Sequence, residues 1–247
     1  MQFTPTYEED FFLFRHEGDF QGRMQPGALL RFAQQIATDH CNSFGMDDAM
    51  YQRTHTAFLL AKLALEFRRQ PHVDETLHFV TRPQAPQRAV YKRVTEVYDE
   101  QGAQVACVDS RWVLVDTQTR RIMRKAPEEM QVPWAQTVET ELDLALPPRP
   151  ETMAPAGEHM AAYSLCDMNG HLNNTRYADL ACNALPVQVL GEKHLQRMVL
   201  HYHREVPLGE MFSISVGQVQ DNVWFVSGGR ENHVCFDAAL WFEKEGK

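Results

Sequence analysis

Residues 166–177 read Cys166-Asp167-Met168-Asn169-Gly170-His171-Leu172-Asn173-Asn174-Thr175-Arg176-Tyr177. Within eight positions this stretch places an Asp, a His and three Asn around one Gly. The residues that follow show helical spacing of apolar side chains, at Tyr177, Leu180, Ala181, Ala184 and Leu185. Asn173 and Asn174 are favourable N-cap residues for this helix, and free N–H groups at a helix N-terminus can stabilise a developing oxyanion. The pattern therefore predicts a chemically active loop that leads into an amphipathic helix.

A second motif, Tyr202-His203-Arg204-Glu205, ends 34 positions after His171. Both motifs resemble those of the acyl-ACP thioesterases, the plant FatA and FatB type and their bacterial relatives. Residues 110–116, followed by Thr119-Arg120-Arg121, are similar to the end of the first hot dog domain in that family. The resemblance spans nearly the whole chain and implies an α+β fold of two tandem hot dog domains, each a long helix wrapped by an antiparallel β-sheet. It also implies hydrolysis of fatty acyl thioesters carried on acyl carrier protein, as in fatty acid biosynthesis, without a cofactor or a metal ion.

A proline-rich segment separates two halves of similar order. Residues 133–155 contain five prolines and the acidic Glu139, Glu141 and Asp143, and such a segment is expected to stay extended and solvated. We therefore expect an N-terminal hot dog domain at 1–132, a linker at 133–157 and a C-terminal hot dog domain at 158–247. Aligning Asp19 with Asp167 gives an offset of 148 residues, and aligning Phe67 with Tyr202 gives an offset of 135.

Each half starts with a predicted helix and continues with predicted strands. The first helix should begin at Pro26 and end near Gly45. Alternating or β-rich runs follow at 66–69, 77–81, 90–98 and 105–115 in the first half, and at 198–204, 212–219, 223–226 and 234–242 in the second.

Four residues are the candidate catalytic set: Asp167, Asn169, His171 and Glu205. Glu205 is the candidate general base, on a strand where it shares a face with His201 and His203, because a carboxylate partly withdrawn from water is a stronger base. The Asn169 amide would hold the attacking water or donate to the thioester oxygen. Two roles stay open for the His171 region, backbone donation to the oxyanion or protonation of the leaving thiolate. Asp167 would orient Asn169 and His171, and the alternative for Glu205 is a surface carboxylate paired with Arg204 or Arg68.

Water is expected to attack the thioester directly. In plant members of the family a Cys follows the catalytic Glu, but this chain has Val206 there. Cys166 precedes the loop, and its neighbour Asp167 should raise the pKa of the thiol. The five cysteines are odd in number and contain no C-x-x-C, so no disulfide or metal framework is visible.

The first copy lacks the catalytic side chains, because Gln21, Arg23 and Gln70 stand where the second copy has Asn169, His171 and Glu205. We expect it to be catalytically empty and to enclose the acyl chain. The candidate acyl-binding residues are Leu30, Ala33, Ile36, Ala37, Phe58 and Leu60. The candidate residues for binding acyl carrier protein are Arg68, Arg69, Arg120, Arg121, Arg124 and Lys125.

Composition excludes several other classes of function. The 247-residue chain is 44% hydrophobic and has a net charge of −9, which disfavours binding to nucleic acid or to an anionic membrane. The apolar run at 57–65 is broken by Lys62 and is too short for a membrane span. The start of the chain lacks the basic residues of a signal or transit peptide, so a cytoplasmic location is expected. The oligomeric state is open, with a homodimer as one option.

Two other functions remain as alternatives. One is a hot dog thioesterase that acts on acyl-CoA. The other is a non-catalytic hot dog protein that binds acyl groups. The four candidate catalytic residues argue for an enzyme, and the many basic residues of an acidic chain favour the carrier protein over CoA.

Overall fold

The structure is a computed structural model that describes residues 3–132, 134 and 142–243. The helices and strands of the first half are β1 Tyr7–Phe12, α1 Pro26–Ser43, α2 Asp48–Thr54, β2 Thr56–Phe67, β3 Thr76–Pro83, β4 Val90–Tyr98, β5 Gln104–Asp116 and β6 Arg121–Ile122. Those of the second half are β7 Ala154–Met160, α3 Arg176–Asn183, α4 Val187–Glu192, β8 Leu195–Tyr202, β9 Met211–Gln220, β10 Val223–Arg230 and β11 His233–Phe242. Short 3₁₀ turns lie at Arg15–Glu17, Glu128–Met130 and Tyr163–Leu165.

All the strands form one sheet, in the order β1-β3-β4-β5-β2-β8-β11-β10-β9-β7, with β6 beside β5. Each pairing within it is antiparallel. The two halves have mirrored strand orders and meet where β2 pairs with β8. Helices α1 and α3 pack with one face of this sheet in a single apolar core. The predicted α+β class and the tandem hot dog arrangement are confirmed.

The repeat is visible in matching backbone turns. Asp19 Oδ1 accepts a hydrogen bond from the backbone N–H of Gln21 at 2.8 Å, and Asp167 Oδ1 accepts one from Asn169 at 2.9 Å. The glycine that follows each turn has a left-handed backbone, with φ of 76° at Gly22 and 75° at Gly170. A side chain at either glycine would strain this turn.

Helix α1 follows its predicted bounds. Pro26 is its first residue, and Gly45, with φ of 87°, follows its end. Its inner face buries Leu29 and Ile36 completely. The shorter α3 packs against α1, and Arg31 of α1 forms a 3.0 Å ion pair with Asp179 of α3. The two helices therefore connect the halves on the inner face of the sheet.

The strand predictions were correct in the centre of each half and incomplete at its edges. Strand β4 has the predicted bounds 90–98, whereas the prediction at 66–69 covers only the end of β2, which begins at Thr56. Strands β1 and β7 were missed. Exposed and partly buried residues alternate in β1, and its acidic side chains obscure the apolar period of two.

The proline-rich segment is partly packed against the sheet. Pro133, Glu139 and Glu141 lie outside the described residues, while 142–150 form neither helix nor strand. Leu144 is 8% exposed and packs on Ala64 and Val199, on the face opposite the helices. The expectation of a solvated linker is therefore wrong at Leu144, because a wide sheet leaves apolar positions on its outer face to be covered. Strand β7 begins at Ala154, inside the range predicted as linker.

Within the described parts of the chain, no helix combines the length and the hydropathy that a membrane crossing requires.

Replacing Leu144 by alanine should lower the free energy of unfolding by about 2 kcal/mol, because it removes apolar atoms from a buried contact and leaves a cavity. Urea denaturation measures this change. The control Val187→Ala removes apolar atoms from a side chain that is 59% exposed and should change stability by less than about 0.5 kcal/mol. Equal effects of the two substitutions would contradict the packing of Leu144 on the sheet.

Candidate active site

The loop before α3 is held by two of its own polar side chains. Asp167 accepts from the backbone N–H of Asn169 at 2.9 Å and from the Asn173 amide at 3.2 Å. Asn173 Oδ1 in turn accepts from the backbone N–H and the hydroxyl of Thr175, at 2.9 and 2.7 Å. Thr175, and not Asn173 or Asn174, is the N-cap residue of α3. Asp167 therefore orders the backbone that carries Asn169 and His171.

Backbone pairing brings the loop beside the chain that follows β8. The Leu172 N–H donates to the Val206 carbonyl, and the Leu208 N–H donates to the Gly170 carbonyl, both at 2.9 Å. These two hydrogen bonds bring His171 and Glu205 together, with Nε2 of the imidazole 3.4 Å from Oε2 of the carboxylate. The partner of Glu205 is thus His171, and not Arg204 or Arg68.

Glu205 lies in a loop and not on the predicted strand. Strand β8 ends at Tyr202, and the backbone N–H groups of His203 and Arg204 both donate to the Cys235 carbonyl, at 2.8 and 3.1 Å. Two residues opposite one acceptor form a bulge, and a bulge changes the direction of the side chains that follow. The expectation that His201, His203 and Glu205 share a face is therefore wrong.

The two histidines lie close to each other, with their ring centroids 6.4 Å apart, and each has another partner. His201 Nε2 is 2.7 Å from the carbonyl of Leu144, on the outer face of the sheet. His203 Nε2 is 3.0 Å from Asp237 Oδ2. Neither side chain contacts the His171–Glu205 pair, so both are removed from the candidate chemistry.

The pair is accessible to solvent. The side chain of Glu205 is 57% exposed and that of His171 is 33% exposed, so the expected withdrawal of Glu205 from water is wrong in this structure. Asn169 is exposed beside them. Among the described residues its amide makes no hydrogen bond, and the backbone N–H of His171 has no acceptor there. Donors are therefore free to meet a substrate oxygen.

Cys166 does not have the properties of a nucleophile. Burial, and then the nearby Asp167 carboxylate, raise the pKa of its thiol. Its Sγ lies 3.6 Å from the carbonyl of Ala161. Val206, the residue after Glu205, is fully buried. The prediction that Asp167 raises the pKa of Cys166 is confirmed in direction.

The first copy uses its corresponding residues for structural contacts. Arg23 forms a 2.8 Å ion pair with Asp19 and also donates to the Leu190 carbonyl of the other half. Gln21 Nε2 donates to the Gly191 carbonyl at 2.7 Å, and Gln70 Nε2 donates to the Met24 carbonyl at 3.1 Å. Gln21 and Arg23 thus tie the two halves together, and Gln70 makes a contact within the first half. All three side chains are occupied by structural contacts, as expected if the first copy has no catalytic role.

A narrow crevice connects the active loop to the first domain. It has a volume of about 30 Å³, room for one or two water molecules. Its lining comprises Leu30, Ala33, Gln34, Ala37, Leu60, Leu63, Arg93, Thr95, Val108, Ser110, Trp112, Asn174, Thr175 and Tyr202. Four of the six predicted acyl-binding residues are in this lining. Ile36 is instead fully buried in the main core, and Phe58 packs in a separate cluster with Tyr91 and Met130.

Tyr202 was missed by the sequence analysis. Its hydroxyl donates to the carbonyl of Asn174 at 2.9 Å, and its ring packs edge-on against Tyr177. Burial raises the pKa of Tyr202, so the phenol stays a hydrogen-bond donor. Tyr202 is the last residue of β8 and the first of the motif that ends three residues later at Glu205, and this position gave no chemical signal.

The predicted carrier-binding residues form two groups and not one. Arg68 and Arg69 follow the end of β2, whereas Arg120, Arg121, Arg124 and Lys125 lie near its start, since Thr56 pairs with Asp116. The twelve residues of β2 separate the groups by roughly 36 Å. Arg69 is also neutralised by Glu75 at 2.9 Å and Asp99 at 3.3 Å. The group of four is exposed and forms no ion pair with any described residue.

Comparison with known proteins gives family matches for both halves. The model of the acyl-ACP thioesterase N-terminal domain matches residues 4–132, and that of the C-terminal domain matches residues 157–236. Oleoyl-acyl carrier protein thioesterase 2, chloroplastic, from Arabidopsis thaliana is 22% identical over 227 residues. That match covers 81% of this chain but only 59% of the Arabidopsis protein.

Solved structures show the same fold over nearly the full chain. The crystal structure of an acyl-ACP thioesterase from Bacteroides thetaiotaomicron superposes with a TM-score of 0.87 and 22% identity, covering 97% of this chain and 98% of that chain. The 12:0-ACP thioesterase from Umbellularia californica gives a TM-score of 0.81 and 15% identity, with the same two coverages.

The thiol of Cys166 should react with iodoacetamide more slowly at neutral pH than the same thiol in the urea-unfolded chain, because a raised pKa leaves less thiolate. The rate should rise only at a higher pH than in the unfolded chain. Peptide mass spectrometry over a pH series measures both rates at this one cysteine. A folded protein that reacts faster than the unfolded chain would show an activated thiolate and contradict the assignment.

Proposed function

The chain belongs to the acyl-ACP thioesterase family, and from this premise we propose that it hydrolyses fatty acyl thioesters of acyl carrier protein. The products are a free fatty acid and the carrier thiol. One observation carries the proposal: a His and a Glu 34 residues apart in sequence meet at 3.4 Å. They do so in the matched C-terminal domain, and the loop that holds His171 continues into the wall of the crevice. An acyl thioester placed there has its carbonyl beside a base and its chain beside apolar side chains.

In the proposed reaction, water attacks the thioester carbonyl carbon and Glu205 takes a proton from that water. The negative charge that develops on the carbonyl oxygen meets the Asn169 amide and the free backbone N–H of His171. Collapse of the tetrahedral intermediate breaks the C–S bond. The proton held by Glu205 then passes to the leaving sulfur through His171, which is in contact with the carboxylate. Asp167 acts on the backbone of the loop and touches no reacting atom.

The acyl chain is proposed to enter the crevice between α1 and the sheet. Leu30, Ala33, Ala37 and Leu60 are the predicted residues that line it. Entry of a chain must push these side chains apart, because the unliganded crevice is far smaller than a fatty acyl group. The substrate would also cover Glu205 and remove it from water, which strengthens the base when it is needed.

We propose that the two domains have the separate roles predicted from the sequence. The N-terminal domain at 1–132 supplies most of the crevice, and the C-terminal domain at 158–247 supplies Asp167, Asn169, His171 and Glu205. The segment 133–157 is the proposed linker between them, and its Leu144 packs on the outer face of the sheet.

Glu205→Gln and Asn169→Ala should each lower kcat by roughly 10²-fold or more, because one removes the base and the other an oxyanion donor. The assay follows release of free carrier thiol from acyl carrier protein substrates in the steady state. Gln70→Ala and Gln21→Ala alter the corresponding positions of the first copy and serve as matched controls that should stay close to wild type. Near-normal turnover in folded Glu205→Gln would refute the proposed base.

For the carrier protein we propose contact with the cationic patch, defined as Arg120, Arg121, Arg124 and Lys125. These four side chains are exposed and unpaired among the described residues, and the carrier is acidic. The patch lies near Thr56, at the start of β2, and Leu60 of the crevice is on the same part of that strand. Charged groups at the rim of an interface act mainly on association and on its salt dependence.

Reversing two charges of the cationic patch, in Arg121→Glu/Arg124→Glu, should raise KM for acyl carrier protein substrates by about tenfold. The same variant should hydrolyse the matching acyl-CoA with unchanged kinetics, because only the protein carrier spans the patch. Arg68→Glu is the control, since Arg68 is an exposed cation at the other end of β2. An equal loss on both substrates, or an equal effect of Arg68→Glu, would place the carrier elsewhere. Higher efficiency with acyl-CoA in the wild type would favour the acyl-CoA thioesterase alternative.

A further inference from the structure

The far wall of the crevice is polar where a fatty acyl tunnel calls for apolar residues. Strand pairing puts Thr81, Thr95 and Val108 in one row across the inner face, and Pro83, Arg93 and Ser110 in the next. Thr81 and Thr95 are buried, and their hydroxyls lie 3.0 Å apart. Arg93, Thr95 and Ser110 line the crevice.

The second copy shows that the fold does not require these polar residues. Its corresponding row contains Val216 paired with Val226, and the next contains Trp224 paired with Leu240. Trp224 thus stands where the first copy has Arg93, and Leu240 where it has Ser110. A charged residue at this point is particular to the half that is proposed to hold the acyl chain.

The charge of Arg93 has no carboxylate partner in the described part of the chain. Its guanidinium donates to Thr81 Oγ1 and His40 Nδ1, both at 3.2 Å, and to Cys41 Sγ at 3.4 Å. None of these acceptors is a carboxylate. Burial lowers the pKa of Arg93 because its charge is poorly solvated, and the nearby Cys41 and Tyr51 oppose this effect only in part. Arg93 is half-buried, and a cation withdrawn from water is normally paired with an anion.

His40 cannot supply the missing anion. Its Nε2 lies 2.8 Å from the carbonyl of Thr4 and donates to it, while Nδ1 accepts from Arg93. Burial and the nearby Arg93 lower the pKa of His40 to about 4, so the ring is neutral at physiological pH. The five N–H donors of an Arg side chain exceed the three contacts made here.

Arg93 is also at the right place to meet the end of a bound chain. The strands run in the order β4-β5-β2-β8 between Arg93 and Tyr202. Three strand spacings separate them by roughly 14 Å. Tyr202 and Asn174 mark the side of the active loop, so Arg93 marks the opposite end of the crevice.

We propose that this crevice accepts acyl groups whose far end carries a carboxylate, and that Arg93 binds that carboxylate. The inference rests on the proposed thioesterase function and names its substrate class. The thioester carbonyl lies at His171 and Glu205, the methylene chain lies along Leu30, Ala33 and Leu60, and the terminal carboxylate pairs with the guanidinium. Thr95 and Ser110 line the same end of the crevice. Their hydroxyls bond within the protein, Thr95 with Thr81 at 3.0 Å and Ser110 to the Arg93 carbonyl at 3.2 Å, so the guanidinium supplies the free donors.

The test compares three sets of acyl carrier protein substrates of equal chain length, ending in a methyl, a hydroxyl or a carboxylate group. At the best-fitting length, wild type should hydrolyse the carboxylate-ended substrate with kcat/KM about tenfold or more above the methyl-ended one. Arg93→Met should reverse this preference, and Arg93→Lys should retain part of it. Arg82→Met is the control, because Arg82 lies on the adjacent strand β3, pairs with Glu96 and does not line the crevice.

The outcomes separate the two proposals. Hydrolysis of methyl-ended substrates with no preference for the carboxylate overturns the role of Arg93 and leaves the thioesterase function standing. A preference for the hydroxyl-ended chain over both others overturns the carboxylate assignment. Failure to hydrolyse any of the three overturns the proposed function, and this inference with it. The wild-type comparison decides the question even where thermal unfolding shows that Arg93→Met does not fold.

Discussion

Five backbone-paired positions of β2 and β8, from Lys62 opposite His201 to Glu66 opposite Arg197, hold the two halves of the molecule in one sheet. The geometry of the candidate site depends on this pairing of β2 with β8. It continues the inner face from one half to the other, so that α1 and α3 pack side by side in a common core. The loop of the second half thereby reaches the helix of the first. Neither half alone contains both the His171–Glu205 pair and the walls of the crevice.

The two halves keep a similar backbone at this loop and differ in the side chains that it carries. Both halves have the Asp-centred turn and the left-handed glycine that follows it. Both also have a bulge directly after β2 or β8. The backbone N–H groups of Arg68 and Arg69 donate to the Val105 carbonyl, just as those of His203 and Arg204 donate to the Cys235 carbonyl. In the first half this framework holds Arg23 against Asp19 and the other half. In the second half it exposes His171 and Glu205. The same loop backbone therefore carries interdomain contacts in the first half and the candidate catalytic residues in the second, and only the side chains differ.

Local sequence was sufficient where one interaction dominated. Pro26 and Gly45 bounded α1, and the apolar stripe after Asn174 located the buried face of α3. The motif residues His171 and Glu205 were brought together as predicted, because the chain folds back through a backbone clasp. Sequence failed where a single residue altered the register. The Cys235 carbonyl, which accepts from both His203 and Arg204, lies on another strand. No pattern within 198–205 therefore reveals that the alternation of side chains between the two faces stops at Tyr202.

Sequence also could not reveal distances across the sheet. The basic pairs at 68–69 and 120–121 look alike in a list of charges, yet β2 holds them apart at its two ends. Arg93 likewise looked like one more surface cation beside Lys92. Its meaning depends on neighbours contributed by Thr81, Ser110 and His40, which are distant in the chain. Such clusters arise from strand register, and register is set by the whole sheet.

Because the crevice is small, binding of an acyl chain there would require the lining side chains to separate. In the free protein the lining side chains are in contact with one another, so no column of water has to be expelled when a chain enters. Each added methylene instead separates packed groups and then restores their contacts with its own surface. Under the proposed function, the length of chain that the crevice accepts would depend on how far its lining side chains can separate, whereas Arg93 would act on the chemistry of the chain end. Selectivity for chain length would then be a property of the packing between α1 and the sheet.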